Sequence, residues 1–211
     1  MNRTRSAPPL ARLFAALIAL VAAGSIALRI GLYLAEGDPL GEVTWWLLRF
    51  FTILTNLLVA GTFAGIAMGK PVAPRWLLAM TAAIAGVGIV YHVALARLLE
   101  HEGWEIVADQ GVHTAAPVLT VLWFLACVPK GVLRLSHVPL VVIWPTLYCV
   151  YALVRGSVEG DYPYFFIDAN RLGVAELAIN IAGLTAFFAL LGLLLVLAVK
   201  ARSRSERRVL A

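Results

Sequence analysis

The sequence predicts an all-α polytopic membrane protein, a bundle of six transmembrane helices with both termini cytoplasmic. Three observations lead there. The 211 residues are 62% hydrophobic and only 14% charged, with a mean hydropathy of +0.89, a balance outside that of soluble domains. Six apolar stretches can be delimited, at about residues 10–34, 44–68, 75–98, 111–128, 137–154 and 173–199, each near or above the roughly 17–25 residues that a helix needs to cross the hydrocarbon. Basic residues then fall between them with one parity: Arg3, Arg5 and Arg12 before the first stretch, Lys70 and Arg75 after the second, Lys130 and Arg134 after the fourth, and Lys200, Arg202, Arg204, Arg207 and Arg208 after the sixth. That places twelve of seventeen basic residues on one side, with Glu206 the one acidic residue there, and the positive-inside rule makes that side cytoplasmic.

Each element follows from its own residues. The first stretch begins like a secretory signal, but its apolar run is too long, and removing it would break the charge parity, so it reads as helix one. Helix two enters from outside as TWWLLRFFTILTNLLVAG, with Arg49, Thr52 and Asn56 at i, i+3 and i+7 on one stripe. A short cytoplasmic link, residues 69–74, holds two prolines that stop helices. Helix three carries His92 and helix four His113, with Trp104 in the outer link of residues 100–110. Pro117 and Pro145 stand inside helices four and five, where proline removes a backbone bond and kinks the chain. The outer link of residues 155–172 contains Tyr162, Pro163, Tyr164, Phe165 and Phe166, either a headgroup belt or a lid over an outer cavity. Helix six places Glu176 and Asn180 at i, i+4, and residues 200–211 form a basic cytoplasmic tail. The chain reads as one domain without internal repeats.

Composition also excludes. The net charge of +5 is explained by the cytoplasmic bias, and no basic-aromatic module for nucleic acid is present. Cys127 and Cys149 lie in apolar helices without CxxC spacing, so they read as packing residues, and neither a disulfide nor a metal site is expected.

The polar residues buried in the apolar stretches fall in one half of the membrane. Counting 1.5 Å per residue, Thr52 lies on the order of 12 Å below the outer end of its segment, His92 about 9 Å, His113 about 6 Å and Asn180 about 10 Å. Ionisable groups are costly there and tend to line a site. Taken singly, each has an ordinary role as well: a threonine bonded to its own backbone, a histidine joining two helices, an arginine snorkelling at Arg49 or Arg29, a polar seam at Glu176 and Asn180. Together, a hydroxyl and an imidazole at similar depth are the minimum for nucleophilic catalysis, Thr52 attacking and His113 serving as base. Asp109, one turn before His113, either orients that imidazole or caps the start of helix four.

At these residues the chain resembles a known family. RFFTILTN, residues 49–56, and GVHT, residues 111–114, look like the two key motifs of the androgen-induced-gene and androgen-dependent TFPI-regulating proteins, six-helix membrane hydrolases of fatty acid esters of hydroxy fatty acids. Together with YPYFFID and Glu176 to Asn180, the pattern looks closer still to bacterial six-helix integral membrane proteins distantly related to them. The resemblance implies Thr52 as nucleophile, His113 as general base, Arg49 at the basic position before the threonine and Asn180 at an asparagine of the last helix. Two positions depart: the animal members carry an acid where this chain has Thr55 or Asn56, and the proline after the histidine is displaced to Pro117.

The expectation is therefore an intramembrane threonine hydrolase of a lipid ester, in the bacterial cytoplasmic membrane, with its cavity in the outer leaflet and no cofactor or metal. Its partners would be the lipid or fatty acid ester substrate and membrane lipids. Arg49 would hold a substrate carboxylate, and Asn56, Asn180 or His92 would donate to the oxyanion. Two other classes fit the same residues: a redox protein with haem between His92 and His113, and a membrane protein that binds or moves lipid without chemistry.

Overall fold

The computed structural model describes residues 7–98 and 101–209, with side chains as far as residue 202. Of the residues in the charge count, Arg3, Arg5 and Glu100 lie outside the described residues, as do the side chains of Arg204, Glu206, Arg207 and Arg208.

Helix α1, Pro9–Glu36, opens with proline at its first position and closes on Gly37, whose φ of +100° lets its N–H turn back to the Leu34 carbonyl. The second apolar stretch is not the continuous helix expected over residues 44–68. It is two helices, α2 (Leu40–Leu47) and α3 (Phe51–Ala67), meeting at 95°. No glycine or proline breaks the chain between them. Side chains of a later helix satisfy the backbone there: Tyr151 donates to the Leu48 carbonyl (3.1 Å), Tyr148 to the Arg49 carbonyl (2.7 Å) and Arg155 to the Trp45 carbonyl (2.8 Å). On the far side of the bend the Phe51 N–H donates to the Tyr164 hydroxyl (3.1 Å). A helix end in an apolar setting needs such partners.

Helix α4, Pro74–Val90, passes into a π-helical turn, Tyr91–Leu95. Helix α5 begins at Trp104 rather than near Gly111, runs to Gln110, and continues through a second π-helical turn, Gly111–Ala115, into α6, Ala116–Cys127. A 3₁₀ segment, Leu135–Val142, leads into α7, Ile143–Glu159. Pro117 stands at the second position of α6, directly after the π-helical turn, and Pro145 at the third position of α7, directly after the 3₁₀ segment, so each falls where the regular α-helical bonding pattern resumes. Helix α8, Val174–Val209, carries its helical backbone through the basic tail.

The described residues thus form an all-helical bundle. Five of its helices are long and apolar enough to cross a membrane, or six if the bent α2–α3 pair is one span. Leu13, Leu20, Val93, Val158 and Ile179 project outward and exposed, as a lipid-facing surface requires. Helix α4 is the innermost, packed against α3, α6 and α8. Its small residues Ala79, Ala82, Ala83 and Gly86 are buried, and at Gly86 the Phe188 ring of α8 lies where a side chain would stand. The core is completed by Ile18, Phe63, Leu78, Ile84, Phe124 and Val196, all fully buried.

Candidate active site

The bend between α2 and α3 sets Thr52 in the first turn of α3, directed toward the second π-helical turn. The Thr52 Oγ1 lies 3.2 Å from the Nε2 of His113. On the far side of the ring, His113 Nδ1 faces two acceptors of Asp109, the carboxylate Oδ1 at 2.9 Å and the backbone carbonyl at 3.1 Å. A carbonyl only accepts, and an ionised carboxylate likewise, so the proton of a neutral imidazole belongs on Nδ1 and Nε2 is left bare for the threonine hydroxyl. Asp109 therefore does not cap a helix start. It lies inside the helix one turn ahead of His113, 2% exposed.

Around this trio stand residues that sequence reasoning did not select. The Tyr91 ring, from the first π-helical turn, stacks on the His113 imidazole at 4.0 Å and 10°, and its hydroxyl donates to the Asp109 carboxylate. The Arg29 guanidinium lies 3.6 Å from Asp109 and the His101 Nε2 3.4 Å. Asp109 thus has hydrogen-bond donors and one cation, Arg29, around its carboxylate, the arrangement that favours a buried carboxylate in its charged form. Tyr164, from the loop after α7, accepts from the Phe51 N–H and sits against Thr52. Burial pushes its hydroxyl above the usual phenol range, so it stays protonated and able to donate.

Other expected site residues sit elsewhere. Arg49 does not enter the cavity: its guanidinium binds Glu159 (3.1 Å) and Asp161, both from the end of α7 and the loop after it. Both amide hydrogens of Asn56 are committed, to the Thr52 carbonyl (2.9 Å) and the Val112 carbonyl (3.1 Å). Asn56 therefore ties α3 to the turn that carries His113 and has no hydrogen left for an oxyanion. Asn180 donates to the Phe166 carbonyl (3.0 Å), fastening the aromatic loop to α8, and exposed Glu176 accepts from the Gly173 N–H (3.1 Å) as a cap of α8. His92 turns to the outer surface, with Nε2 2.9 Å from the Thr114 hydroxyl. His92 and His113 border the same open apolar groove, but both His113 nitrogens are engaged by Thr52 and Asp109 and His92 Nε2 by Thr114, so the two imidazoles do not form an axial pair for haem.

Two cavities meet at Thr52. One, of about 430 Å³, is lined by Arg29, Tyr33, His101, Asp109 and His113. The other, smaller at about 60 Å³, is walled mainly by apolar side chains of α4, α7 and α8 that include Val87, Val90, Cys149, Leu184 and Phe188. Thr52, Leu95 and Tyr164 line both. The molecule therefore holds a hydroxyl, a base and an orienting acid in line, at the mouth of an apolar cavity. No family model matches this chain, and neither a curated protein nor a solved structure does.

Proposed function

We propose that this protein is an intramembrane hydrolase of lipid esters that uses Thr52 as nucleophile and His113 as general base. The observation that carries the reading is the alignment of Thr52 Oγ1, His113 and Asp109 through contacts of 3.2 and 2.9 Å. Aligned with a base and an orienting acid, a threonine hydroxyl becomes a competent nucleophile.

In the reaction His113 takes the Thr52 proton as Oγ1 bonds to the ester carbonyl carbon. The tetrahedral intermediate collapses, the ester C–O bond breaks, and His113 Nε2 returns the proton to the departing alcohol oxygen. Water then attacks the acyl-threonine, giving its proton to His113, and collapse releases the carboxylic acid and restores the Thr52 hydroxyl. Asp109 holds the imidazole in the working tautomer and stabilises the imidazolium between the steps. The oxyanion falls to the Tyr164 hydroxyl and to the Thr52 and Ile53 amides, first-turn N–H groups of α3 that have no intrahelical acceptor.

In this reading the bent α2–α3 pair counts as one span, both termini are cytoplasmic, and the cavity opens in the outer leaflet of a bacterial cytoplasmic membrane. The chain would then be kin to the androgen-induced-gene hydrolases and their bacterial relatives, with the lipid ester and surrounding lipids as partners. The test is covalent labelling of purified protein with a fluorophosphonate, which modifies an activated hydroxyl. Wild type should label, and Thr52→Ala and His113→Ala should not. Full labelling of both variants overturns the assignment. Binding of an ester that is never turned over makes the protein a lipid carrier instead.

A further inference from the structure

The two cavities are not equivalent once the direction of the reaction is fixed. General acid catalysis requires the departing alcohol oxygen to lie within reach of the imidazole that protonates it. His113 lines the larger cavity and also borders an open apolar groove beside His92, but that groove does not reach Thr52, and His113 does not line the smaller cavity. The alcohol therefore leaves through the larger cavity, which reaches both Thr52 and His113. Of the two cavities that meet at Thr52, the smaller apolar one remains for the acyl group.

We infer that the apolar cavity between α4, α7 and α8 is the acyl-chain site, and that it selects unbranched acyl groups by length. The inference rests on the hydrolase reading for the direction of cleavage. Three features of the cavity fit that occupant. Its walls, among them Val87, Val90, Leu184 and Phe188, offer no charged group. It is small, at about 60 Å³, which limits the length and bulk of what it can hold. It is also closed at depth: Phe188 is buried against the backbone of Gly86 and in edge contact with Phe51, so that ring forms an end wall. Along α8, the stretch from Ile181 to Phe188 that lines it spans about 10 Å at 1.5 Å per residue. Cys149, a free thiol on the wall supplied by α7, is a native reporter of occupancy.

The experiment uses full-length protein in detergent and p-nitrophenyl esters of acetic, butyric, octanoic and palmitic acids. Replacing Cys149→Phe fills the cavity from the α7 side and leaves Thr52, His113, Asp109 and Tyr164 in place. Turnover of the octanoyl ester should fall at least about tenfold relative to the acetyl ester, since filling a chain site discriminates by at least this factor. A second measurement needs neither a filled cavity nor turnover. In Thr52→Ala protein, p-nitrophenyl octanoate should slow alkylation of Cys149 by N-ethylmaleimide, read by mass spectrometry of the Cys149 peptide, and the acetyl ester should not. Hydrolysis by wild type with unchanged chain preference in Cys149→Phe, or without protection of Cys149, overturns the acyl site and leaves the hydrolase reading standing. Protection by the octanoyl ester with no hydrolysis by wild type overturns the hydrolase reading and leaves an acyl-binding cavity.

Discussion

At the scale of single residues, the site is a chain of hydrogen bonds in which each group fixes the state of the next. Asp109 selects the His113 tautomer because its carboxylate and its own carbonyl both accept from Nδ1. Asp109→Asn keeps the size and most of the packing, yet its amide can donate to Nδ1 and move the ring proton to Nε2. Steady-state hydrolysis should fall by about 10⁴-fold, as for an orienting acid of this kind, with the thermal midpoint little changed. Tyr164→Phe removes one proposed oxyanion donor together with the acceptor of the Phe51 N–H, and keeps the ring that stacks on Phe166. Its kcat should drop about 10²–10³-fold, with KM nearly constant. An equal rate in Tyr164→Phe would assign the oxyanion to the α3 amides alone.

The same scale shows what was legible in the sequence. Thr52 and His113 stood out as polar residues in apolar stretches, and Asp109 at one turn's spacing from the histidine. Arg29, Tyr91, His101 and Tyr164 come from four other places in the chain and reach the trio only through packing, so no local spacing marks them. Arg49 shares a helical stripe with Thr52 and Asn56 only if the helix is continuous. The bend after α2 turns Arg49 toward Glu159 and Asp161 instead.

At the scale of elements, the break between α2 and α3 and the two π-helical turns set the geometry. None carries a local sequence signal. WLLRFF contains no breaker, and the carbonyls released by the bend are satisfied by Tyr148, Tyr151 and Arg155, about a hundred residues away. The π-helical turns bring Tyr91 and His113 into register as a stacked pair, in keeping with the tendency of such turns to occur at functional sites. The second turn starts at Gly111, where an added Cβ would lie 1.9 Å from the Ser25 Oγ and 2.6 Å from its Cβ. Rotating the serine hydroxyl cannot relieve the second contact, so α1 and α5 must separate. Gly111→Ala should therefore destabilise by about 1–3 kcal/mol, measured as the thermal midpoint in detergent. Adding Ser25→Gly should restore most of the loss, an outcome that a purely local helix effect would not give.

At the scale of the whole molecule, six apolar stretches, helix α1 and the link at residues 69–74 follow directly from hydropathy and proline placement. The helix limits near α5, α7 and α8 do not, because polar residues such as Asp109, Glu159 and Lys200 continue helices whose apolar runs have ended. The topology itself is open to direct measurement. In a background lacking Cys127 and Cys149, cysteine placed at Lys70 or Arg134 should be shielded from a membrane-impermeant maleimide in intact cells. Cysteine at Asp38 or Asp161 should react. The reverse pattern would invert the membrane orientation and move the cavity to the inner leaflet.

In the proposed reading the nucleophile, base, acid and flanking cation all come from α1, α3 and the α5–α6 helix, whereas the small cavity beyond Thr52 is built mainly by α4, α7, α8 and the aromatic loop. Apart from Tyr91 and Tyr164, which serve the reactive trio from the second set, the proposed chemistry and recognition are thus encoded in separate stretches of the chain. Mutational drift in the recognition stretches can remodel what enters the protein while its reactive centre stays intact, so this scaffold is suited to diversify by substrate rather than by reaction.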